Sequence, residues 1–197
     1  MSTPRTSQSH PLEIAEVTAA AGLIGITFCP GKQDLHAASG AWQRDLATDL
    51  KAIRSWGASL ILTLVDPHEL KILKVPDLGQ QVQQHGIQWR HLPIQDYSPP
   101  DQRFEQQWLD TGAEVRQRLR QGERVLIHCK GGLGRAGMMA ARLLVEMGED
   151  PKSAIRRVRR ERKGAIETPS QLTLVRSTLP IQELPEPAMT SPASEPT

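Results

Sequence analysis

The stretch VLIHCKGGLGRAG, residues 125–137, places a thiol, closely spaced glycines and a guanidinium on one short piece of chain. Gly131, Gly132 and Gly134 allow the backbone to curl tightly and to point successive N–H groups inward, which makes a cradle for an oxyanion. A helix that begins at the end of this loop would add free N–H groups and the positive end of its dipole. The pattern therefore predicts an anion-binding loop between a strand and a helix.

The two reactive side chains stand at the ends of this loop, with Cys129 at its start and Arg135 six positions later. Inward N–H groups favour the thiolate form of a cysteine, and a thiolate is a good nucleophile for phosphorus. The planar fork of Arg135 can hold two oxygens of a phosphoryl group, which a lysine cannot do. His128 is expected to point away from the anion and to support the loop. Phosphate binding is assigned to the loop backbone at Lys130, Gly131, Gly132, Leu133 and Gly134.

Simpler explanations exist for each part of this stretch. A single cysteine in a strand is most often a small core residue, and glycine runs are most often turns. Residues 132–137 also fit the G-x-G-x-x-G pattern of dinucleotide sites, but the acidic residue expected about 20 positions later is missing, and a basic segment stands there. The nucleotide-binding pattern with Lys-Ser or Lys-Thr after its last glycine does not fit either. Cysteine and arginine at this spacing favour phosphoryl chemistry.

The composition is that of an ordinary globular chain. Its 197 residues include 24 Lys and Arg against 22 Asp and Glu, so the net charge of +2 does not indicate a nucleic-acid partner. No apolar run approaches the roughly 18 residues of a membrane span, and residues 1–10 lack an apolar signal region. Two cysteines do not make a disulfide framework, and the histidines lack metal-ligand spacing. We expect a cytoplasmic protein without a membrane, nucleic-acid or metal partner.

The two ends of the chain differ in composition from its middle. Residues 1–11 are rich in Ser, Thr, Gln and Pro, and residues 180–197 carry repeated prolines. Such segments bury too little apolar surface to offset the entropy of ordering them. We predict disorder for both segments and a single domain over residues 12–179.

Strand-like and helix-like patterns alternate within this domain. Short apolar runs bounded by turn residues predict strands at residues 23–28, 60–65, 87–94 and 124–128. Helical spacing of apolar residues, together with helix start and stop signals, predicts helices at residues 41–56, 76–85, 104–122, 135–147, 151–163 and 169–177. The alternation predicts an α/β fold, with a parallel-rich central sheet flanked by helices on both faces. The anion-binding loop would lie at the carboxyl edge of that sheet.

The loop from His128 to Arg135 resembles the signature loop of the protein tyrosine phosphatase superfamily. Segments outside the loop, between about Leu23 and Leu174, are similar to one branch, the kinase-associated dual-specificity phosphatases that dephosphorylate cyclin-dependent kinases. These segments read CPGK at 29–32, WG at 56–57, EL at 69–70, VP at 75–76, HLPIQD at 91–96 and GAIET at 164–168. The resemblance implies the fold of that superfamily, phosphotyrosine and phosphoserine/threonine protein substrates, a protein kinase as a candidate partner, and no cofactor.

The resemblance also implies a two-step reaction, in which Cys129 forms a thiophosphate intermediate that water then hydrolyses. The acid of the family is an aspartate about 30 residues before the cysteine, where this chain has Asp96. Asp96 could instead only cap its turn, and Asp101 is the alternative acid, although Asp101 is better placed to cap the next helix. Gln171 is similar in position to a glutamine that orients the attacking water in several members; otherwise it is a solvated side chain at a helix start.

The chain departs from the family pattern at Ala136, where Ser or Thr usually follows the arginine. In the family that hydroxyl donates a hydrogen bond to the cysteine sulfur and eases its departure. Breakdown of the intermediate is therefore expected to be slow. Two alternatives to a phosphoprotein phosphatase stay open: a phosphate-binding pseudophosphatase, and a phosphatase of phosphoinositides or nucleotides that uses the same loop.

Overall fold

The computed structural model describes residues 3–37 and 39–182 of the chain. Its strands are β1 (Ala15–Ala19), β2 (Gly22–Phe28), β3 (Gln33–Asp34), β4 (Trp42–Gln43), β5 (Ala58–Thr63), β6 (Gln88–His91) and β7 (Arg124–Cys129). Its helices are α1 (Leu46–Trp56), α2 (Pro67–Ile72), α3 (Leu78–Gln84), α4 (Gln102–Arg120), α5 (Gly134–Glu146), α6 (Pro151–Glu161) and α7 (Pro169–Ser177).

The strand that leads into the anion-binding loop lies in the middle of the main sheet. Within the described residues, this sheet has five strands in the order β1-β2-β7-β5-β6, and β3 pairs with β4 separately. The edge pair β1-β2 is antiparallel, whereas β7 runs parallel to both of its neighbours. Cys129 pairs in register with Phe28 at the end of β2. The loop after β7 therefore begins at the carboxyl edge of a mostly parallel sheet, which confirms the predicted fold class.

Helices cover both faces of the sheet and hold β7 in place. Val125 and Ile127 of β7 pack under α4, α5, α6 and α7, whereas Leu126 packs under α1, α2 and α3. Full burial of each such side chain contributes roughly 1.5–3 kcal/mol to folding. Because β7 is anchored from both sides, the position of Cys129 at its end is well determined.

The first predicted helix begins later than the sequence suggests. Trp42 and Gln43 form β4 and pair with β3, although the spacing of Trp42 and Leu46 fits a helix. Helix α1 begins after Asp45, whose carboxylate accepts a hydrogen bond from the N–H of Thr48 at 2.7 Å. A backbone pairing and a cap, neither of which is an apolar signal, move the boundary by five residues.

Other boundaries also differ from the predicted ones. Strand β6 ends at His91, short of the predicted residue 94, although the N–H groups of Leu92 and Ile94 still donate to the carbonyls of Thr63 and Leu64, both at 3.0 Å. Strand β1 and helix α2 are not predicted from the apolar pattern. Helix α2 begins with a capping box, in which Asp66 accepts from the N–H of Glu69 at 2.8 Å and Glu69 accepts from the N–H of Asp66 at 3.2 Å.

Part of the N-terminal segment, predicted to be disordered over residues 1–11, makes hydrogen bonds from Arg5 onward in the structure. The N–H of Arg5 donates to the carbonyl of Ala41, and the carbonyl of Arg5 accepts from the N–H of Gln43, both at 2.9 Å. Ser7 is buried and accepts a hydrogen bond from the N–H of Asp45 at 3.0 Å. These backbone and hydroxyl partners connect the segment to residues 41–45, and its disorder in solution stays a prediction.

The C-terminal tail is described only as far as residue 182. The N–H of Ile181 donates to the carbonyl of Glu146 at 2.8 Å, which fixes the end of the described chain against α5. The rest of the tail that we predict to be disordered lies outside the described residues. Within residues 3–37 and 39–182, no helix is long and apolar enough to cross a membrane.

Candidate active site

Cys129 lies at the end of β7, with its side chain almost completely buried at the floor of the loop. The N–H of Gly132 donates to the Cys129 sulfur at 3.2 Å, which stabilises negative charge there. Helix α5 begins at Gly134, and its N-cap Leu133 offers no side-chain hydrogen bond to the first turn. Backbone N–H groups at this helix start are thus left for an anion.

Gly132 explains why the loop needs glycine. Its φ is +67°, a conformation that other residues adopt at a cost. A Cβ atom there would lie 2.5 Å from the carbonyl oxygen of Thr27 and from the backbone nitrogen of Phe28. The loop therefore lies directly against the end of β2, and a side chain at Gly132 would push the two apart.

Arg135 lies in the first turn of α5, 1% exposed; both Nη atoms of its guanidinium have partners, whereas Nε is buried with no hydrogen-bond partner among residues 3–37 and 39–182. It donates to both carboxylate oxygens of Glu69, at 2.6 and 2.9 Å, and to the carbonyl of Ile94 at 3.0 Å. Burial alone would lower the pKa of Arg135, but hydrogen bonds to Glu69 and nearby negative charges outweigh burial and raise it. The guanidinium is therefore a permanent, rigidly oriented cation beside the thiol.

Sequence reasoning missed Glu69 as the partner of Arg135. The signal that could have found it is the Asp-Pro-x-Glu capping box directly after the predicted strand at residues 60–65. Because that strand ends at the same edge of the sheet as the strand before the anion-binding loop, a carboxylate there can reach the loop.

Asp96 lies on the loop after β6, and its Oδ1 is 2.9 Å from Nη2 of Arg135. Asp96 and Cys129 line the same cavity, which has a volume of about 330 Å³. The side chain of Asp96 is 44% exposed, so it can exchange protons with solvent. Asp101 caps α4 instead, accepting from the N–H of Phe104 at 2.8 Å. The structure thus brings Asp96, rather than Asp101, to the thiol and the guanidinium.

Gln171 is fully buried, unlike a solvated side chain at a helix start. Its Oε1 accepts from the N–H groups of Glu167 and Thr168, at 3.0 and 3.3 Å, and so completes a capping box at the start of α7. Its Nε2 is buried with no hydrogen-bond partner among residues 3–37 and 39–182. A Cβ at Gly134 would lie 3.0 Å from both Oε1 and Nε2, so the amide packs against the anion-binding loop.

His128 supports the loop from below. Trp89 donates to the Thr63 hydroxyl at 2.8 Å, and the same hydroxyl lies 2.8 Å from Nε2 of His128. Because an indole can only donate, the hydroxyl accepts from Trp89, and it shares a further hydrogen bond with Nε2 of His128. Complete burial lowers the pKa of His128 to about 3, with charge from His91 and Arg135 adding to the effect. The imidazole is therefore neutral and serves as a fixed support, in line with the sequence.

Two basic residues near the loop have polar partners in the structure. The ammonium of Lys130 lies 3.3 Å from a carboxylate oxygen of Asp34. Arg162, just after α6, donates to the carbonyls of Gly132 and Gly131 at 3.0 and 3.3 Å. The end of the basic segment therefore braces the anion-binding loop from outside.

Comparison with known proteins assigns the class. Residues 38–180 match a family model described as "Swiss Army Knife protein, DSP-PTPase phosphatase domain". The chain belongs to the dual-specificity protein tyrosine phosphatase family. The resemblance inferred from the loop and from the scattered segments is confirmed.

Within this family, the chain is similar to the kinase-associated branch. It is 34% identical over 132 residues to cyclin-dependent kinase inhibitor 3 of Rattus norvegicus, covering 66% of this chain and 61% of that protein. It is 31% identical over 139 residues to human protein tyrosine phosphatase type IVA 3, covering 71% of this chain and 75% of that protein. A crystal structure of kinase associated phosphatase, with its catalytic site cysteine substituted by serine, matches with a TM-score of 0.74 and 28% identity, covering 84% of this chain and 92% of that one. The match thus spans 61% of the length of the kinase inhibitor relative.

Proposed function

We propose that this chain hydrolyses phosphomonoesters on phosphoproteins, at tyrosine and at serine or threonine, through a thiophosphate intermediate. The observation that carries the proposal is that Cys129 and Asp96 line one cavity and that Arg135 contacts Asp96. The sulfur of Cys129 lies under an N–H donor of the loop, and Asp96 lines the same cavity while contacting Arg135 at 2.9 Å. A nucleophile, an acid and a fixed cation are what phosphoryl transfer to a thiol requires.

In the first step, the Cys129 thiolate attacks phosphorus as the bond to the leaving oxygen breaks. Asp96, protonated, gives its proton to that oxygen, and the substrate leaves as an alcohol or phenol. Arg135 and the loop N–H groups hold the phosphoryl oxygens while charge builds up on them. The phosphoryl group is then bonded to sulfur, and Asp96 is a carboxylate.

In the second step, water attacks phosphorus and the S–P bond breaks. Asp96 takes a proton from this water, so inorganic phosphate and the Cys129 thiolate are restored. Gln171 packs against Gly134 of the loop and carries a buried Nε2 atom without a partner among the described residues, which supports a role in orienting the water.

Substrate class and partner follow from the relatives. The similarity to cyclin-dependent kinase inhibitor 3 and to kinase associated phosphatase supports a phosphoprotein substrate, with a protein kinase as the candidate partner. The activity is assigned to residues 12–179. A cytoplasmic setting fits two free cysteines, Cys29 and Cys129, that must stay reduced.

The test uses the purified full chain, p-nitrophenyl phosphate and a panel of phosphotyrosine, phosphothreonine and phosphoserine peptides. We expect vanadate-sensitive phosphate release that Cys129→Ser abolishes and that Cys29→Ala, a change of the other buried cysteine, preserves. Acid quenching during turnover should trap one phosphoryl group on the peptide that contains Cys129.

Phosphate binding without release by the wild-type chain would contradict the proposal and favour a pseudophosphatase. Selective turnover of phosphoinositides or nucleotides, with inert phosphopeptides, would contradict the assigned substrate class while leaving the thiol chemistry intact.

A further inference from the structure

A second cavity opens beside the one that holds Cys129. It has a volume of about 270 Å³, and its walls include Gly131 and Leu133 of the anion-binding loop, which the two cavities share. Its remaining walls come largely from chain that precedes the loop, including Arg5, His10 and Lys32. We refer to this second cavity, lined by Arg5, His10, Lys32 and Arg162, as the N-terminal basic cavity.

Lys32 lies on the wall between the two cavities and has an unusual environment for a cation. Its side chain is 3% exposed, and its ammonium lies 4.8 Å from the ring centroids of both Phe28 and Trp42. Apart from these two rings, its ammonium makes no hydrogen bond or ion pair with a side chain in residues 3–37 and 39–182. Burial lowers the pKa of Lys32 to about 8, against the opposing effect of Cys29 and Asp34.

The contrast with Arg44 shows that this cation is not simply part of a buried ion pair. Arg44 stacks on the same two rings, with its guanidinium carbon 4.9 Å from the Phe28 centroid and 5.6 Å from that of Trp42. However, both carboxylate oxygens of Asp49 accept from Arg44 at 2.8 Å. Lys32 has aromatic faces on two sides and an open cavity in front of it. A buried cation of this kind is best satisfied by an anion that enters the cavity.

Two further cations face the same space. The guanidinium carbon of Arg5 lies 5.2 Å from the Trp42 centroid, and Arg162 reaches the cavity while bracing the loop. Glu13 is the one carboxylate among the lining residues of this cavity that the structure describes. Three cations against one carboxylate give a positive potential next to the phosphate-binding loop, and low-dielectric walls strengthen it.

We propose that the N-terminal basic cavity is a second anion subsite, in which Lys32 and Arg5 bind a phosphoryl group or a carboxylate close in sequence to the residue being dephosphorylated. The inference rests on the proposed function, since it places the substrate phosphoryl group in the loop between Cys129 and Arg135. Arg5 precedes residue 38, where the family match begins, whereas Lys32 ends the CPGK segment at 29–32 that is similar to the kinase-associated branch, so the Arg5 side of the subsite comes from the N-terminal segment of this chain.

The test compares three sets of phosphotyrosine peptides. In the first set, all flanking residues are alanine. In the second and third sets, one glutamate or one phosphoserine replaces the alanine at each flanking position in turn. We expect kcat/KM to rise about tenfold over the alanine peptide at one or two positions, the effect of one hydrogen bond to a charged group. A rise with phosphoserine alone assigns the subsite to a second phosphoryl group, and an equal rise with glutamate assigns it to any anion.

Two variants on separate elements identify the cations. Lys32→Met keeps the aliphatic stem between the rings, and Arg5→Gln removes the second cation. In each variant, the ratio of kcat/KM for the anionic peptide to kcat/KM for the alanine peptide should fall toward one. Lys51→Gln removes one positive charge from the exposed face of α1 and should leave the preference intact. Thermal melts of each variant show whether it is folded, and calorimetric titration of the same peptides into Cys129→Ser measures the subsite without turnover.

Turnover of p-nitrophenyl phosphate separates failure of this inference from failure of the proposed function. The subsite alone would be overturned if the chain turns over this ester normally but shows no preference for an anion at any peptide position. Normal turnover with a preference that both variants retain would overturn it as well. No turnover of either substrate would overturn the proposed function, and the calorimetric titration would then decide the subsite by itself.

Discussion

Both carboxylate oxygens of Glu69 accept hydrogen bonds from the guanidinium of Arg135, at 2.6 and 2.9 Å, although the two residues lie 66 positions apart in the chain. Arg135 is 1% exposed and Glu69 15%, so the pair lies away from solvent. This contact sets the direction in which the guanidinium can present its remaining N–H groups to a phosphoryl group. Helix α2 thereby becomes part of the site, although it contributes no group that would touch the substrate.

Replacing Glu69→Gln tests this relationship. We expect kcat/KM for p-nitrophenyl phosphate to fall about 100-fold because the guanidinium loses its fixed orientation. The free energy of unfolding should also fall, on the order of 3 kcal/mol, since a buried cation loses its partner. Enzyme kinetics and chemical denaturation measure the two effects. The control is Glu114→Gln, which breaks the more exposed ion pairs with Arg90 and Arg118 and should cost at most about 1 kcal/mol for each pair.

Changing Asp96→Asn removes the proposed acid and should flatten the alkaline limb of the pH–rate profile. The limb arises because an acid that has lost its proton can no longer protonate the leaving oxygen. The matched variant is Asp101→Asn, which keeps a good N-cap for α4 and should retain the limb. If Asp96→Asn leaves the alkaline limb unaltered and Asp101→Asn flattens it, the acid is Asp101 instead.

Installing a hydroxyl by Ala136→Ser should speed breakdown of the intermediate. Ala136 is fully buried in the first turn of α5, where a serine hydroxyl could donate to the Cys129 sulfur. One such hydrogen bond is worth about tenfold in the second step. Stopped-flow measurements should show a smaller burst and a higher turnover number. Ala140→Ser places a buried hydroxyl one turn further along α5 and should not reproduce the gain; identical kinetics in all forms would contradict this role for position 136.

Adding a methyl group at Gly132 should destabilise the fold, and adding one at Gly131 should not. Gly132→Ala requires a positive φ and a clash with the end of β2, so we expect a loss of more than about 2 kcal/mol. A Cβ at Gly131 meets nothing within 4 Å, so Gly131→Ala should stay within about 0.5 kcal/mol of wild type. Urea denaturation of the two variants measures the difference, and equal losses would show that the loop does not press on β2.

Buried His128 should make the fold sensitive to acid. Its pKa is about 3 in the folded protein against 6.5 for the free side chain, so between these values the unfolded chain binds more protons. The free energy of unfolding must therefore decrease as the pH falls from 6.5 toward 3, by up to about 1.4 kcal/mol per pH unit from this group. Denaturation at several pH values should show a shallower dependence in His128→Gln. Loss of the exposed His68, by His68→Gln, should keep the wild-type slope.

Much of the fold can be read from local patterns because the forces that set them act over a few residues. The apolar runs that became β2, β5 and β7 are buried strands, and the helices from α4 to α7 lie close to their predicted positions. The predicted helix over residues 41–56 loses its first turn because the pairing of β3 with β4 leaves no local apolar signal. The same reason explains the hydrogen bonds of Arg5, whose backbone partners are Ala41 and Gln43 and leave no apolar signal either.

The amino-acid sequence by itself determined the anion-binding loop. Glycine spacing, the six-residue separation of Cys129 and Arg135 and the switch from strand to helix are all local, so neighbouring residues alone dictate the geometry. Only the tertiary structure decided what surrounds that loop: the grip of Glu69 on Arg135, the brace from Arg162 and the cation Lys32 between two rings. The first two contacts join residues 66 and 30 positions apart in the chain, and Lys32 lies 4 and 10 positions from Phe28 and Trp42, whose rings it contacts. Which distant side chains meet depends on the order of the strands and the packing of the helices, and no local pattern encodes that.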